Sequence, residues 1–240
     1  MITLKSTYEN RRNEIKKFTE LLQFLEKRKM SVNEDEVSFE EFFYSEEDEI
    51  KLSYSELINI LKSNLSLMIY NLIEYTVSGL VDCIYYEIWR QQLSYVDVNE
   101  SIRNLWRKTI LKAAKDPGAN FNTFIKKNEE IIDAIMSKLP LNIKARDSLP
   151  AGNLDGVSIK KTFKSHGYDI QTNSDNFRPD ILESIKNNRN QLAHGAVSFV
   201  DAVRDDSIQD FCKYTEFIIL FLQELIDGVE EYIKEEKFKI

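Results

Sequence analysis

The residues best suited to chemistry lie together near position 190. The stretch KNNRNQLAHGAVSF, Lys186 to Phe199, holds Arg189, Asn190 and His194, and the chain has two histidines in all. Imidazole suits proton transfer because its ordinary pKa is near neutrality. The planar guanidinium suits stabilisation of phosphate charge because it stays protonated. Asparagine can orient the imidazole or bond a phosphate oxygen. These groups match the needs of RNA cleavage: one proton leaves the ribose 2′-hydroxyl, another reaches the departing 5′-oxygen, and the negative charge of the phosphorane between them must be stabilised.

The spacing of the motif limits what a single chain can do. On a helix, Asn190 and His194 share a face, whereas Arg189 lies about 140° from His194. One helix would therefore not aim the guanidinium and the imidazole at the same atom. Two copies related by a two-fold axis could, because an isologous contact brings each motif against its twin. The spacing favours a homodimer with a shared site; alternatively, Arg189 and His194 merely cap a helix.

Helical periodicity predicts the elements that position this motif. The chain has seven glycines and four prolines, too few for the turns of an all-β protein, so the predicted fold class is all-α. Pro179 suits a helix start and Gly195 a helix stop, which puts the motif at a helix end. The predicted helices cover about 5–30, 53–93, 99–114, 121–139, 157–165 and 179–195, with a last one opened by Asp205 or Asp206.

The length and composition favour one domain over residues 1–240. With 240 residues, 42% of them hydrophobic, the chain can bury a sizeable core. We divide the predicted domain into an N-terminal helix with an acidic loop (1–52), a core helix with a helical insert (53–149) and motif-bearing helices (150–240). The clearest linker in this sequence is Pro140 to Gly156.

A cytoplasmic location and no membrane partner are expected. Cys83 and Cys212 form neither a disulfide framework nor a CxxC metal signature, which fits a reducing compartment. The N-terminus has no apolar signal region. The most apolar stretch, Leu65 to Trp89, is interrupted by Glu74 and Asp82, and we interpret it as a buried helix.

Charge is distributed unevenly along the chain. Nine acids and no lysine or arginine lie between Glu34 and Glu49, so the remainder of a chain with net charge −8 carries +1. This acidic stretch is either a solvated loop with an aromatic hook or a flap or docking site for a basic partner. The helix with Arg103 and Arg107 presents either a solvated surface or a track for an RNA backbone.

Two further polar residues have open roles. Glu74 lies within the apolar face of the predicted core helix, where a carboxylate usually needs a partner. It is either a structural ion pair or exposed flank, or part of a site. The second histidine, His166, sits at the helix stop formed by Gly167, where a cap or a surface residue is expected.

The motif resembles that of the HEPN superfamily (higher eukaryotes and prokaryotes nucleotide-binding domain). The superfamily hallmark is R-x4-6-H, commonly with Asn after the arginine, and Arg189, Asn190 and His194 match it. The stretch GNLDGVSIKKTFKSHG, Gly152 to Gly167, is similar to an element that precedes the motif in the bacterial MAE-like branch. Together with the polar residues Asn71 and Glu74, the resemblance covers about 53–93 and 150–226.

The resemblance implies an all-α HEPN-like bundle, with additional helices and the acidic insert as elaborations. It further implies a homodimer with a shared cleft that cleaves RNA without metal or cofactor and leaves a 2′,3′-cyclic phosphate. Arg189 would stabilise the phosphorane, His194 act as acid or base, Asn190 position the site and Glu74 support Arg189.

Such proteins serve as toxins with an antitoxin or other protein partner, or in defence against phage. A subgroup carries a tyrosine two positions after the histidine, where nucleotides are attached; this chain has Ala196 there. A non-catalytic HEPN module that binds RNA, nucleotide or a protein is the alternative, and a purely structural bundle is a third possibility.

Overall fold

A computed structural model describes residues 1–31, 53–112, 120–149, 153–170 and 176–240. The acidic stretch at 34–49 lies outside these residues. The described residues form eight helices, which are α1 (Ile2–Ser31), α2 (Tyr54–Arg90), α3 (Glu100–Leu111), α4 (Phe121–Met136), α5 (Ala145–Ser148), α6 (Gly156–Ser165), α7 (Pro179–Ala193) and α8 (Ile208–Lys234). Between them, the same residues contain two isolated β-bridges and no strand. The all-α prediction is confirmed.

The helix starts follow from capping side chains that the sequence provides. Asn99 and Asn120 accept hydrogen bonds from the third residue of α3 and of α4. Asp155 and Ser158 form a reciprocal capping box at α6. At α8, the backbone and hydroxyl of Ser207 both donate to the Asp210 carboxylate. The last helix therefore begins at Ile208, two to three residues later than Asp205 or Asp206 would start it.

The predicted linker belongs to the folded core. Leu141, Ala145 and Leu154 are buried, and the stretch contains an unpredicted short helix, α5, which begins at Ala145. The Leu141 backbone N–H donates to the Leu93 carbonyl at 2.8 Å. The described part of this stretch thus lies within the first of two compact units and is not a boundary between them.

The chain contains two compact units. The first comprises Met1–Lys5, Glu74–Asn173 and Leu222–Ile240, and the second comprises Ser6–Ile73 and Ser174–Phe221. Each unit contains part of α2 and part of α8. The prediction of a single domain over 1–240 stays a prediction.

The second unit holds α7 and buries apolar faces of three other helices. Tyr8 and Leu22 of α1 are buried, as are Leu65 of α2 and Phe211 of α8. The Tyr8 hydroxyl donates to the Ile219 carbonyl at 3.0 Å, so this buried polar group is satisfied. Ile181, Leu182, Ile185 and Leu192 of α7 are buried as well, so this helix also has an apolar face turned away from solvent.

The first unit is built around aromatic residues that pack against α6. Tyr168, in the turn after α6, stacks edge-on against both Phe163 and Tyr232. A Cβ atom at Gly228 would lie 1.9 Å from the Tyr168 hydroxyl, so only glycine fits where α8 meets this ring.

His166 is fully buried in this unit, where it forms the C-cap of α6. Its Nδ1 lies 2.7 Å from the Thr162 carbonyl, which only accepts, so Nδ1 carries the hydrogen. Burial lowers the pKa of His166 to about 4, so the ring is neutral near pH 7. The Tyr85 hydroxyl therefore donates to Nε2 at 2.6 Å. The predicted cap is confirmed, whereas a surface position is wrong.

Helix α2 is, among the described residues, the one long and apolar enough to cross a membrane by length and composition. Half of its most apolar 18-residue window is buried inside the structure. Leu65, Ile69, Val77 and Leu80 each expose at most 1% of their surface. These residues have the packing of a protein core, as the sequence analysis expected.

Candidate active site

The motif stands at the C-terminal end of α7, which closes in a Schellman motif. The Gly195 N–H donates to the Leu192 carbonyl and the Ala196 N–H donates to the Gln191 carbonyl. Gly195 has a φ of +64°, a conformation that glycine adopts without strain. This closure leaves His194 as the C-cap residue, and its side chain is exposed.

Arg189 is held by two neighbours within the second unit. Its Nη1 donates to the Asn190 Oδ1 at 3.0 Å, and its guanidinium carbon lies 4.7 Å from the Tyr70 ring centroid. Tyr70 is completely buried, and Arg189 is half-buried. A cation over an aromatic face at this distance is attracted by the ring quadrupole. Arg189 therefore rests on a fixed platform from α2.

The side chain of Asn190 accepts a hydrogen bond from Arg189, whereas its contact with His194 is through the backbone. The Asn190 carbonyl accepts the His194 backbone N–H at 3.1 Å, an ordinary helical bond. The structure thus brings Arg189 and Asn190 together and presents His194 separately at the helix end. This arrangement agrees with the expectation that one α7 does not aim both side chains at one atom.

The loop that follows the motif is fastened to α2. The Lys62 ammonium donates to the carbonyls of Val203 at 2.9 Å and Asp206 at 2.6 Å, and the Ser63 hydroxyl donates to the Phe199 carbonyl at 2.6 Å. Lys62 exposes 4% of its surface and Ser63 none. Because these bonds satisfy loop carbonyls, the backbone after His194 has a defined path.

The buried lysine also has a charged neighbour. Burial lowers the pKa of the Lys62 ammonium, and the Asp206 carboxylate partly offsets this effect. Burial likewise raises the pKa of the Asp206 carboxyl, which accepts a hydrogen bond from the Tyr214 hydroxyl at 3.3 Å. Lys62 is a structural clamp of the loop, since its ammonium donates hydrogen bonds to two backbone carbonyls of that loop.

Two buried polar atoms in this region have no hydrogen-bond partner among the described residues. They are the Ser66 hydroxyl, one turn before Tyr70 on α2, and the Asn188 amide nitrogen, next to Arg189. Unsatisfied buried groups are costly, and they concentrate at functional sites. Arg12, Thr76 and Thr215 carry buried atoms of the same kind, so these atoms alone do not locate a site.

Glu74 lies one helical turn after Tyr70 on α2 and is half-buried. It belongs to the first unit, whereas Arg189 belongs to the second. Its predicted support of Arg189 therefore stays a prediction. Across the described residues, no group of three His, Cys, Asp or Glu side chains converges as a metal site would require.

Two of the arginines proposed for an RNA track have local partners instead. Arg103 donates to the carbonyls of Tyr95 and Val96, and Arg107 pairs with Glu100 at 3.1 Å. Both guanidiniums also lie over the Tyr95 ring. They hold the turn before α3, which favours the structural interpretation of this helix.

Sequence reasoning missed Tyr70, Lys62 and Ser63. Tyr70 lies within the apolar stretch of α2, and the residues around it in sequence do not indicate that its ring contacts the Arg189 guanidinium. A lysine and two serines at 62, 63 and 66 interrupt the apolar pattern of a core helix. That interruption was the available sign that this face of α2 meets polar groups.

An all-α bundle whose Arg-Asn-x3-His-Gly motif ends one helix and exposes the histidine is a HEPN-type domain. The chain belongs to the family described as MAE_28990-like HEPN, which matches residues 2–238. This confirms the resemblance to the MAE-like branch. No curated protein and no solved structure matches the chain.

Proposed function

We propose that this protein is a metal-independent endoribonuclease, with a site composed of Arg189, Asn190 and His194 from two copies. The observation that carries the proposal is the contrast within the motif. His194 is exposed at a rigid helix end, and Arg189 is fixed on Tyr70 by Asn190. Exposure suits an imidazole that must exchange protons with a substrate, and fixation suits a group that stabilises charge.

The proposed reaction uses the ribose 2′-hydroxyl as nucleophile. His194 takes the proton from the 2′-oxygen or gives one to the departing 5′-oxygen, while the 2′-oxygen attacks the phosphorus. The bond from phosphorus to the 5′-oxygen breaks, which leaves a 2′,3′-cyclic phosphate and a 5′-hydroxyl. Imidazole can carry out both proton transfers, and guanidinium can stabilise the negative charge.

Arg189 stabilises the charge on the phosphorane. A guanidinium that already sits on Tyr70 and Asn190 need not be ordered when the substrate arrives, so its contact with phosphate costs less entropy. Glu74 is proposed as a weaker support for Arg189.

Two copies complete the site in this proposal. A two-fold axis near the end of α7 supplies two imidazoles, one for each proton transfer, and sets the guanidinium of one copy beside the imidazole of the other. The exposed face of α7 carries Glu183, Asn187, Gln191 and His194. Such a polar face suits a wet groove that admits RNA.

The first experiment compares purified protein with His194→Ala on labelled RNA in the presence of EDTA. Loss of the imidazole should lower the cleavage rate by about 10²–10⁴-fold, and the products of the unaltered protein should end in a 2′,3′-cyclic phosphate. Gln209→Ala, an exposed polar change on α8, is the matched control. Equal rates for His194→Ala and the unaltered protein would show that a contaminant or another site cuts the RNA.

The second experiment tests whether two copies share the site. The unaltered protein is mixed with a growing excess of His194→Ala and allowed to exchange subunits. If both copies are needed, activity per unaltered subunit should fall as mixed pairs form. Activity that stays constant per unaltered subunit contradicts the shared site while leaving the nuclease assignment in place.

In the cell we propose a cytoplasmic toxin or phage-defence effector, controlled by an antitoxin or another protein partner. Induction of the unaltered gene should arrest growth and degrade RNA, whereas the His194→Ala gene should do neither at equal protein level. Arrest by both genes would contradict an effector that acts through cleavage.

A non-catalytic HEPN module that binds RNA, a nucleotide or a protein is the second candidate. The internal use of Arg103 and Arg107 and the net charge of −8 favour the form of this candidate that binds a protein, since both reduce the attraction for a phosphate backbone. Tight, salt-sensitive RNA binding without cleavage would support this candidate over the nuclease.

A further inference from the structure

Helix α4 leaves most of its apolar residues in solvent. Of these residues Ile131 alone is buried, at 8% exposure. The exposed ones are Phe121 (72%), Phe124 (47%), Ile125 (40%), Ile132 (57%) and Met136 (78%). Scattered apolar residues on a surface are ordinary, but a set of this size on one 16-residue helix marks an interaction surface.

Four of these residues share one face of the helix. At about 100° per residue, Phe121, Ile125, Ile132 and Met136 fall within an arc of about 60°. We call them the α4 stripe. The four positions are symmetrical about the midpoint between residues 128 and 129. When the helix direction is reversed about this point, Phe121 takes the place of Met136 and Ile125 takes the place of Ile132. An antiparallel second copy of the same helix therefore matches the stripe.

The polar residue at one edge of this arc fits this arrangement. Asn128 lies midway along the α4 stripe, and its side-chain amide donates to the Phe124 carbonyl at 2.8 Å. Because this bond holds one of the two amide hydrogens on the helix backbone, the side chain lies along the edge of the stripe. A single polar position in an apolar seam also helps to fix the register of two helices.

The charges beside the α4 stripe are complementary in the same register. Lys126, Glu129 and Asp133 are exposed and lie on one flank of the helix. A two-fold axis perpendicular to the helices brings this flank against its own copy in the opposite direction. Lys126 of one copy then faces the interval between Glu129 and Asp133 of the other, so each contact pairs opposite charges.

The available apolar area is about two thirds of what one partner contributes to a standard interface. A large apolar side chain offers on the order of 150–250 Å², so the exposed residues of α4 leave roughly 500–600 Å² of apolar surface. A standard interface buries about 800 Å² per partner, and its centre is rich in Phe and Met. Leu139, which is 53% exposed after α4, extends the surface at its C-terminal end.

We propose that α4 is a self-association surface, at which the α4 stripe of one copy packs antiparallel against that of a second copy. This contact does not depend on the proposed nuclease function, because α4 lies in the first unit and the motif in the second. If copies also pair through α7, the two isologous contacts together build assemblies larger than a dimer.

The first test measures the mass of the full chain in solution by light scattering and sedimentation. Ile132→Asp puts a charge in the middle of the α4 stripe and should raise the concentration for half-association at least tenfold. The change is at an exposed position, and circular dichroism would check that the helices remain. Ile2→Asp, at an isoleucine that is 89% exposed on α1, is the matched control and should not change association.

The second test uses reversed charges to fix the direction of the pairing. Lys126→Glu alone and the pair Glu129→Lys with Asp133→Lys should each weaken association at low salt, because like charges then meet. An equal mixture of the two proteins should regain it, since opposite charges meet again in every mixed pair. A parallel contact would not show this recovery.

Three results would overturn the proposal. They are a mass that Ile132→Asp does not change, an equal effect of Ile2→Asp, and mixed charge-reversed proteins that associate no better than either alone. A protein or lipid that covers α4 instead would give the first of these results. RNA cleavage measured on the same Ile132→Asp sample separates this outcome from a failure of the nuclease proposal, which concerns His194.

Discussion

The two histidines of this protein occupy the same local structure and meet opposite surroundings. His166 and His194 are each the C-cap of a helix, each precedes a glycine with positive φ, and each helix closes with the same pair of backbone bonds. Yet His166 exposes none of its surface, and His194 is exposed. The same His-Gly ending is thus a buried structural link in α6 and an accessible group in α7.

The difference arises from what packs over each helix end. A Cβ atom added to Gly167 would lie 3.0 Å from the Asn99 amide nitrogen, whereas one added to Gly195 would meet no other atom of the described residues within 4 Å. The carbonyl of His166 also accepts the Tyr232 hydroxyl at 2.7 Å. A histidine in a helix-stop motif is therefore no evidence of function by itself. Its function depends on whether tertiary structure covers or exposes it.

The largest effect that tests the comparison is on catalysis. His194→Gln should remove proton transfer and lower RNA cleavage by about 10²–10⁴-fold, and because the side chain is exposed, unfolding free energy should change by less than about 0.5 kcal/mol. Rate measurements and denaturant unfolding on the same preparation check this. A loss of activity that parallels a loss of stability would make His194 structural, like His166.

The next effect is the pH dependence of stability caused by His166. The unfolded imidazole binds its proton near pH 6.5, whereas burial lowers the folded pKa to about 4. Stability is thus complete above pH 6.5 and falls as pH drops towards 4, by about 3 kcal/mol. Unfolding of the unaltered protein and of His166→Phe should be compared at both pH values. The difference between them should shrink at low pH, and a constant difference would contradict a buried neutral ring.

A smaller effect concerns the platform under Arg189, which has no counterpart at the other helix end. Tyr70→Leu removes the ring and should lower the maximal cleavage rate about tenfold, as expected for a lost cation–π contact. Tyr70→Phe keeps the ring and should retain most of the rate. Equal losses in the two variants would mean that the hydroxyl or the core packing matters, and that the ring does not position Arg189.

The smallest expected effect is the difference between the stability costs of alanine at Gly195 and at Gly167. Gly195→Ala should cost about 1–2 kcal/mol of unfolding free energy, because an L-residue is strained at its φ of +64° and its surroundings are open. Gly167→Ala should cost more, since its new methyl group also presses on Asn99. Chemical denaturation of both variants measures the difference, and equal costs would show that the cover over α6 yields easily.

Local features of the sequence predicted much of the fold. Pro179 at the first turn of α7, Gly195 after its end and the apolar spacing between them located the helix within one or two residues. The start of α8 was placed too early, because a Ser-Asp cap at Ser207 competes with Asp205 and Asp206 as the first residue. α5 was missed, since four residues are too few to show a helical period.

The candidate site was only partly predictable for a related reason. Arg189, Asn190 and His194 are close in sequence, so their types and spacing identified them. Tyr70 and Lys62 are more than a hundred residues away along the chain from the groups they contact. No local pattern records such pairings, which depend on how α2, α7 and the following loop pack together.

The sequence by itself determined the helices, their caps and the grouping of a guanidinium, an amide and an imidazole at one helix end, because helical hydrogen bonds and side-chain spacing act within a few residues. Only the tertiary structure decided that His166 is buried and neutral, that His194 is exposed and that Arg189 lies on Tyr70. Burial and desolvation depend on residues far apart in the chain, so two identical His-Gly endings acquired different chemistry.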